Sequence, residues 1–263
     1  MRRVMLWLCA AAVLLPVALL ALYAVCARWP WPAPLPQSLS LRGIQALLNA
    51  DVRGTLLSSI GYSLGSALLS TLIALPAARA ISFYNFAGKR AMRAVLLAPI
   101  LLPSTAFFIG LQTLFTRLGI INTALGVMLA HIMVILPYPI WTLCDMMQSV
   151  GRTMEEQART LGASPLRAFS AVSMPLLLPA CVSVTALGFL ISFGQYFLTL
   201  MIGGGRVKTF AMLVVPYIQS GDRMLSAAFS FAFILAAGTV YGVMDAVLRK
   251  HSGARPPTRG SLV

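Results

Sequence analysis

Few side chains in this sequence are of the types that react, and their spacing sets narrow limits on the chemistry. The 263 residues include six carboxylates, two histidines and four cysteines. No HExxH, GxSxG or GxxxxGK[ST] pattern occurs, and no pair of carboxylates lies within an apolar run. Lacking a phosphate-binding loop, the chain is not expected to hydrolyse a nucleotide itself. Cys9, Cys26, Cys144 and Cys181 lie in or at the ends of apolar stretches with no CxxC or ligand spacing. They read as small apolar packing residues, so no metal, cofactor or catalytic residue is expected.

Polar chemistry is concentrated instead between Glu155 and Pro175, EEQARTLGASPLRAFSAVSMP, with Arg152 just ahead of it and apolar segments on both sides. Glu155 to Leu161 are good helix formers. Gly162 interrupts them, and Ser164-Pro165 restarts the chain as N-cap and first helical residue. A second short helix is expected from Pro165 to Ser173, with Leu166, Phe169 and Val172 on one face and Pro175 ending it. Glu155, Glu156, Arg159 and Arg167 supply charges suited to ionic contacts. The segment reads as helix, break, helix: a docking element with an apolar ridge and an arginine beside it.

The elements that must carry this loop follow from composition. Hydrophobic residues make up 59% of the chain and charged residues only 10%, against about 25% charged in soluble domains. A membrane-spanning helix needs roughly 20 predominantly apolar residues. Six stretches qualify, at about 4–26, 55–78, 94–117, 122–147, 176–202 and 224–248. The expected fold is an all-α integral membrane protein with six transmembrane helices and no room for a soluble catalytic domain.

It divides into a first span with a Pro-rich outer segment (1–54), a core of five spans (55–248) containing the polar loop 151–175, and a basic, disordered tail (249–263). The first apolar run is too long for a signal peptide and is followed by no small-residue cleavage site, so it reads as an uncleaved span. Trp29 and Trp31 sit where an aromatic belt belongs, and Leu41 to Leu48 suits a short amphipathic helix. The second span carries Gly61-x-x-x-Gly65 with Ser58, Ser66 and Ser70, a pattern that favours close helix packing. Pro99 and Pro103 in the third span, and Pro137 and Pro139 in the fourth, mark packing kinks or bends beside a pathway.

The net charge of +14 orients the chain rather than recruiting nucleic acid. With the N-terminus inside, the cytoplasmic side receives Arg2, Arg3, Arg79, Lys89, Arg90, Arg93, Arg152, Arg159, Arg167, Arg249, Lys250, Arg255 and Arg259. The outer side receives Arg28, Arg42, Arg53, Arg117, Arg206, Lys208 and Arg223. This positive-inside bias is expected to place both termini in the cytoplasm.

On these residues the chain resembles a known family. Glu156-Gln157-Ala158, then Gly162, then Val172-x-Met174-Pro175 is similar to the E-A-A, Gly, I-x-L-P loop of the membrane subunits of binding-protein-dependent ABC importers. Gln157, Val172 and Met174 are mild departures. Leu75-Pro76-Ala77-Ala78-Arg79 is similar to the L-P-A-A ending common at this place in the same family, and the run from Ser192 through Gly205 to Asp222-Arg223 is similar to the fifth-span region of its branch that handles polyamines, thiamine and ferric iron. The resemblance implies a type I importer permease fold in the inner membrane of a bacterial cell, a separate ATPase in whose cleft the loop sits, a second membrane subunit, identical or homologous, and a soluble binding protein that delivers a small solute. ATP would be bound by the ATPase partner. It also implies that the fifth-span region lines the translocation path.

Four residues are candidates for that path. His131 is the one ionisable group well inside a span, where such a group is a functional candidate by default, although a histidine bonded to a neighbouring helix serves structure alone. Tyr138 follows it in Leu136-Pro137-Tyr138, a segment that resembles one found across importers of differing solutes. Gln195 and Tyr196 place an amide and a phenol in an otherwise apolar fifth span, and the glycine run Gly203-Gly204-Gly205 after them frees the backbone to turn. Members of the resembled branch that handle polyamines often have a carboxylate near Gln195, whereas no Asp or Glu lies mid-membrane here. The alternative is a carrier or channel driven by an ion gradient. It requires buried charged relays, for which the sequence offers only His131, and leaves the polar loop without a role.

Overall fold

The computed structural model describes residues 2–30, 33 and 35–252. Trp31 and the tail residues Arg255, Pro256, Pro257 and Arg259 lie outside the described residues.

The third helix organises the molecule. α1 (Arg2–Ala24) leads into a two-stranded antiparallel ribbon, β1 (Cys26–Arg28) against β2 (Ser38–Leu39), the only strands among the described residues. The short α2 (Arg42–Leu47) follows where the amphipathic segment was expected. The Asn49 side chain then accepts the Asp51 N–H and caps α3 (Ala50–Phe83). At 34 residues α3 is longer than the expected 55–78, because Asn49 starts it early and Pro76 does not stop it. Its buried seam is made of small residues at helical spacing: Ser59, Ser63, Ser66, Ala67, Ser70, Ala74 and Ala78. These let neighbouring backbones approach closely. Of the Gly61/Gly65 pair, Gly61 is exposed with nothing packed on it, whereas Gly65 is half-buried and a Cβ there would lie 3.0 Å from the Met128 side chain.

Three helices pack on this seam: α6 (Ala124–Ile135), α7 (Pro137–Val150) and α10 (Met174–Phe193). At one end of α3 the core is Ala74, Ala78, Ile81, Ile140, Leu143, Met147, Leu177 and Val184. At its other end the core joins α3 and α10 to α12 (Phe210–Ser220) and α13 (Arg223–Ser252) through Phe189, Phe193, Phe210 and Phe229. A third cluster, Phe108, Phe115, Val127, Leu198 and Ile202, joins α5 (Ser104–Arg117), α6 and α11 (Phe197–Gly203). α1 packs along α13 and leaves Trp7, Val13, Leu14 and Leu15 exposed. In a membrane such a surface faces lipid.

Four continuous helical stretches are long and apolar enough to cross a membrane: Val4–Ala24, Ala50–Phe83, Pro165–Phe193 and Arg223–Lys250. Two bent pairs bring the crossings to six. α4 (Lys89–Leu101) and α5 meet at 111° across Leu102-Pro103, and α6 and α7 meet at 44° at Leu136-Pro137. Both bends fall at prolines, which supply no backbone N–H to continue the helical ladder. The chain is therefore a multi-pass helical membrane protein, with six crossings among the described residues when each bent pair is taken as one span.

Two segments differ from the sequence expectation. The stretch between the fifth and sixth spans is not all loop, because Phe210–Ser220 forms the apolar α12. The buried Ser59 hydroxyl on α3 accepts its first N–H, that of Phe210, at 2.6 Å. The fifth span is also not continuous: it breaks at Gly194-Gln195-Tyr196, between α10 and α11.

Candidate coupling loop and translocation path

The polar loop folds as its residues direct until Pro175. α8 (Thr153–Thr160) ends at Gly162, whose φ of +91° closes the turn while its N–H reaches the Arg159 carbonyl at 3.0 Å. A side chain at that φ is strained, and glycine is not. The Ser164 hydroxyl then accepts the Arg167 N–H at 3.3 Å, with Pro165 as the first residue of α9 (Pro165–Ala168). The second helix does not stop there. A π turn at Phe169–Ser173 joins α9 to α10, with the Met174 N–H reaching back to the Phe169 carbonyl. The wider i→i+5 turn admits Pro175 in the first turn of α10, where its missing N–H costs little. Pro175 thus stands inside a continuous helix, and the expected stop does not occur.

The carboxylate of Glu155 faces inward, where the sequence suggested an outward contact. It is buried, paired through both oxygens with the Arg79 guanidinium from the end of α3 (Arg79 Nη1 to Glu155 Oε2 is 3.0 Å), and accepts the Ser173 hydroxyl at 2.8 Å. Arg79 in turn lies 4.7 Å over the Phe169 ring. Phe169, expected on the outward ridge with Leu166 and Val172, is therefore half-buried, and Val172 is half-buried with it. Hydrogen bonds from Arg79 and Ser173, with the nearby positive charges, outweigh desolvation and hold the Glu155 carboxyl below the usual carboxylate range. The knot joins three parts of the chain that are far apart in sequence: α3, α8 and the π turn. Sequence reasoning placed Arg79 only by its charge and did not single out Ser173. A basic residue ending one span and an acidic residue opening the loop was the available signal, without a spacing to connect them.

The outward face consists of Leu161, 89% exposed, and Leu166, 77% exposed. Exposed Glu156, Arg159 and Arg167 surround them, and an open hollow of about 430 Å³ is lined by Glu156, Arg159, Thr160, Ala163 and Pro165. Ala158 is half-buried beneath α8. Arg152 spans Phe83 and Tyr84, 5.5 Å from each ring, and reaches Glu156 at 3.6 Å.

Mid-span, His131 is fully committed to the protein. Its Nδ1 lies 2.7 Å from Ser192 Oγ on α10, and its Nε2 lies 3.0 Å from Thr199 Oγ1 on α11. The Thr199 hydroxyl donates to the Gln195 carbonyl at 2.5 Å, so it accepts from His131 Nε2–H. Nδ1 is then left to accept from Ser192. For a neutral imidazole this network assigns the Nε2–H tautomer. The imidazole bridges the two halves of the fifth span across their break and leaves no ring nitrogen free for a solute. Of the other path candidates, Gln195 and Tyr196 lie in the break itself and are half-buried. Tyr138 is 37% exposed in the first turn of α7, beside the bend. Beyond α11, Gly204 and Gly205 turn with φ of +52° and +77°, and the Asn122 N–H, from the start of the α6 segment, reaches the Ile202 carbonyl at 2.8 Å.

Comparison with known proteins matches this arrangement. Residues 70–252 match the sequence profile of the family described as binding-protein-dependent transport system inner membrane component. The molybdenum transport system permease protein ModB of Mycobacterium tuberculosis is 30% identical over 233 residues, covering 83% of this chain and 85% of that protein. The probable sulfate transport system permease protein cysT of Helicosporidium sp. is 27% identical, over 69% of this chain and 73% of that one. The putrescine transport system permease protein PotI of Escherichia coli K12 is 26% identical, over 76% and 74%. Among solved structures, a bacterial ABC transporter involved in import of the acidic polysaccharide alginate superposes with a TM-score of 0.67 at 11% identity, covering 93% of this chain and 96% of that one. That likeness is one of fold. The loop, the six crossings and the matched profile agree: the chain belongs to the family of inner-membrane components of binding-protein-dependent transport systems, the permease subunits of ABC importers.

Proposed function

We propose that this permease couples to a separate ATPase through residues 153–173 and carries its solute by alternating access past the break in the fifth span. The observation that carries the proposal is a loop locked to the membrane helices on its inner side while Leu161 and Leu166 project from its outer side. Exposed apolar side chains on a rigid mount, ringed by Glu156, Arg159 and Arg167, suit burial in a partner's cleft. In this reading Leu161 and Leu166 are the anchors and the three charged residues set orientation. Glu155, Ala158, Gly162, Phe169, Val172 and Pro175 shape and hold the mount.

ATP is bound by that partner. The partners are two ATPase subunits, a second permease subunit that completes the pore, and a binding protein that meets the opposite face. The loop and both termini face the cytoplasm, which the positive-inside bias supports. Gln195, Tyr196 and Tyr138 line the path, and His131 holds it open as a positioning residue. For the solute we favour a small anion over a polyamine. The break is lined by hydroxyl and amide chemistry, none of the six carboxylates lies mid-span, and two of the relatives above are named for sulfate and molybdenum.

The decisive experiment places a cysteine at Leu166 in a Cys9→Ala background and crosslinks it in native membranes. A specific adduct with a nucleotide-binding subunit, altered by ATP, supports coupling at this loop; absence of any such adduct overturns it. Uptake of labelled sulfate, molybdate and putrescine by the assembled complex then tests the solute, and putrescine uptake alone would reverse the anion assignment.

A further inference from the structure

At the end of the molecule opposite the coupling loop, a cleft of about 410 Å³ opens between the end of α1, the β ribbon, α2 and the start of α13. Arg28, Arg42 and Arg223 line it together with a single carboxylate, Asp222. Asp222 is already engaged: one oxygen accepts Arg42 at 2.9 Å and the other accepts the Leu225 N–H at 3.1 Å, capping α13. Arg28 and Arg223 have no carboxylate partner among the described residues. One wall is Trp29 stacked on Tyr23 at 4.8 Å, with the Trp29 indole N–H donating to the Ala33 carbonyl at 2.8 Å. The elements that frame the cleft are close-packed on one another, since a Cβ on Gly43 of α2 would lie 2.7 Å from the Ala24 carbonyl of α1 and 2.9 Å from the Ala228 side chain of α13. The cleft is therefore built into the fold.

A second cavity of about 300 Å³ shares Tyr23 and Arg223 with the first and extends along Leu20, Ile218, Ala227 and Ser230. Leu20 is about one turn into α1 from its end, and Ser230 about two turns into α13 from its start, so this groove descends toward the middle of the membrane. The order is arginines and an aromatic pair at the surface, then an apolar slot below.

We propose that this composite site binds a membrane phospholipid. Its phosphate is held by Arg28 and Arg223, with Arg42 adjacent, and one acyl chain lies in the Leu20, Ile218 and Ala227 groove. Guanidinium groups match phosphate oxygens in geometry and charge, and stacked Trp and Tyr are the side chains that settle at headgroup level. A free oxyanion satisfies the arginines but not the groove. The site requires only that the chain spans a membrane, and does not depend on the coupling proposal.

Native mass spectrometry of the detergent-purified protein, titrated with phosphatidylglycerol, tests this. The parent retains one lipid per chain at low lipid excess. Arg28→Gln with Arg223→Gln weakens retention by about tenfold or more, the scale of losing charge-assisted contacts, whereas the paired Arg→Lys variant, which keeps the charge but not the planar fork, retains an intermediate share. Leu20→Trp, which fills the groove from a half-buried position, weakens lipid retention without altering binding of inorganic sulfate. Lipid retention by the Gln variant equal to the parent's overturns the proposal. So does displacement of the lipid by millimolar sulfate with no effect of Leu20→Trp, which would assign the cleft to a small oxyanion instead.

Discussion

Two polar knots hold the helix that begins at Pro165, and they use opposite chemistry. At the loop, Glu155 and Arg79 form a charged pair completed by Ser173. In mid-span, His131 with Ser192 and Thr199 forms a neutral one. Each joins a segment to the helix that begins at Pro165: the first at its entry, the second where it breaks. Charge is affordable at the membrane edge, where Arg79 keeps some contact with water and is stacked on Phe169. In the apolar interior the same task falls to an imidazole that is satisfied without ionising, since an isolated charge there costs far more than a hydrogen-bonded neutral group. Lone polar residues in spans thus need their partners identified before a functional role is assigned.

That contrast can be broken by substitution. Glu155→Ala has the largest expected effect. It strands Arg79 and frees the π turn, costing about 3 kcal/mol, the low end for a broken buried pair because Arg79 is only partly buried. Thermal unfolding of the purified protein measures it, and a loss equal to that of an exposed-site control would show the knot to be ornamental. His131→Ala comes next, at roughly 2 kcal/mol for the hydroxyls it leaves unpaired. His131→Gln, which retains a donor and an acceptor, recovers part of that loss and part of transport, as a positioning residue should.

Gly162→Val is smaller in stability, about 1–2 kcal/mol for an L residue in the left-handed region, since nothing crowds the position. Its signature is functional: membrane insertion persists while ATP hydrolysis in the assembled complex no longer drives uptake.

The smallest test separates the knots by pH. Because folding lowers the Glu155 pKa, its contribution is complete above the ordinary carboxylate range and is lost as pH falls through the depressed native value. Between pH 6 and 3 the parent and His131→Gln should lose thermal stability along similar slopes, and Glu155→Gln along a shallower one.

Much of this was legible in sequence because it is local. Gly162, Ser164-Pro165 and the six apolar runs act over a few residues, and the turn, the cap and the crossings follow. What was not legible depends on residues distant in sequence. Arg79 meets Glu155 across 76 positions, and that meeting turns Phe169 inward and moves the exposed apolar face to Leu161 and Leu166. The break at Gly194-Gln195-Tyr196 hides in an apolar run because its stabilising groups, His131 and Thr199, lie partly on another helix. α12 is too short to register as a span, and the effect of Pro175 depends on whether the preceding turn is α or π.

That π turn has a mechanical consequence. By joining the loop to α10 it makes Pro165–Phe193 a single rod of 29 residues, roughly 43 Å at 1.5 Å per residue. Pivoted near the loop, such a rod converts a tilt of ~5° into ~4 Å of travel at its far end by the same rise. The far end is Phe193, beside the Gly194 break, so a small rotation of the proposed kind, imposed at the membrane surface, would arrive as a displacement wide enough to admit a water molecule.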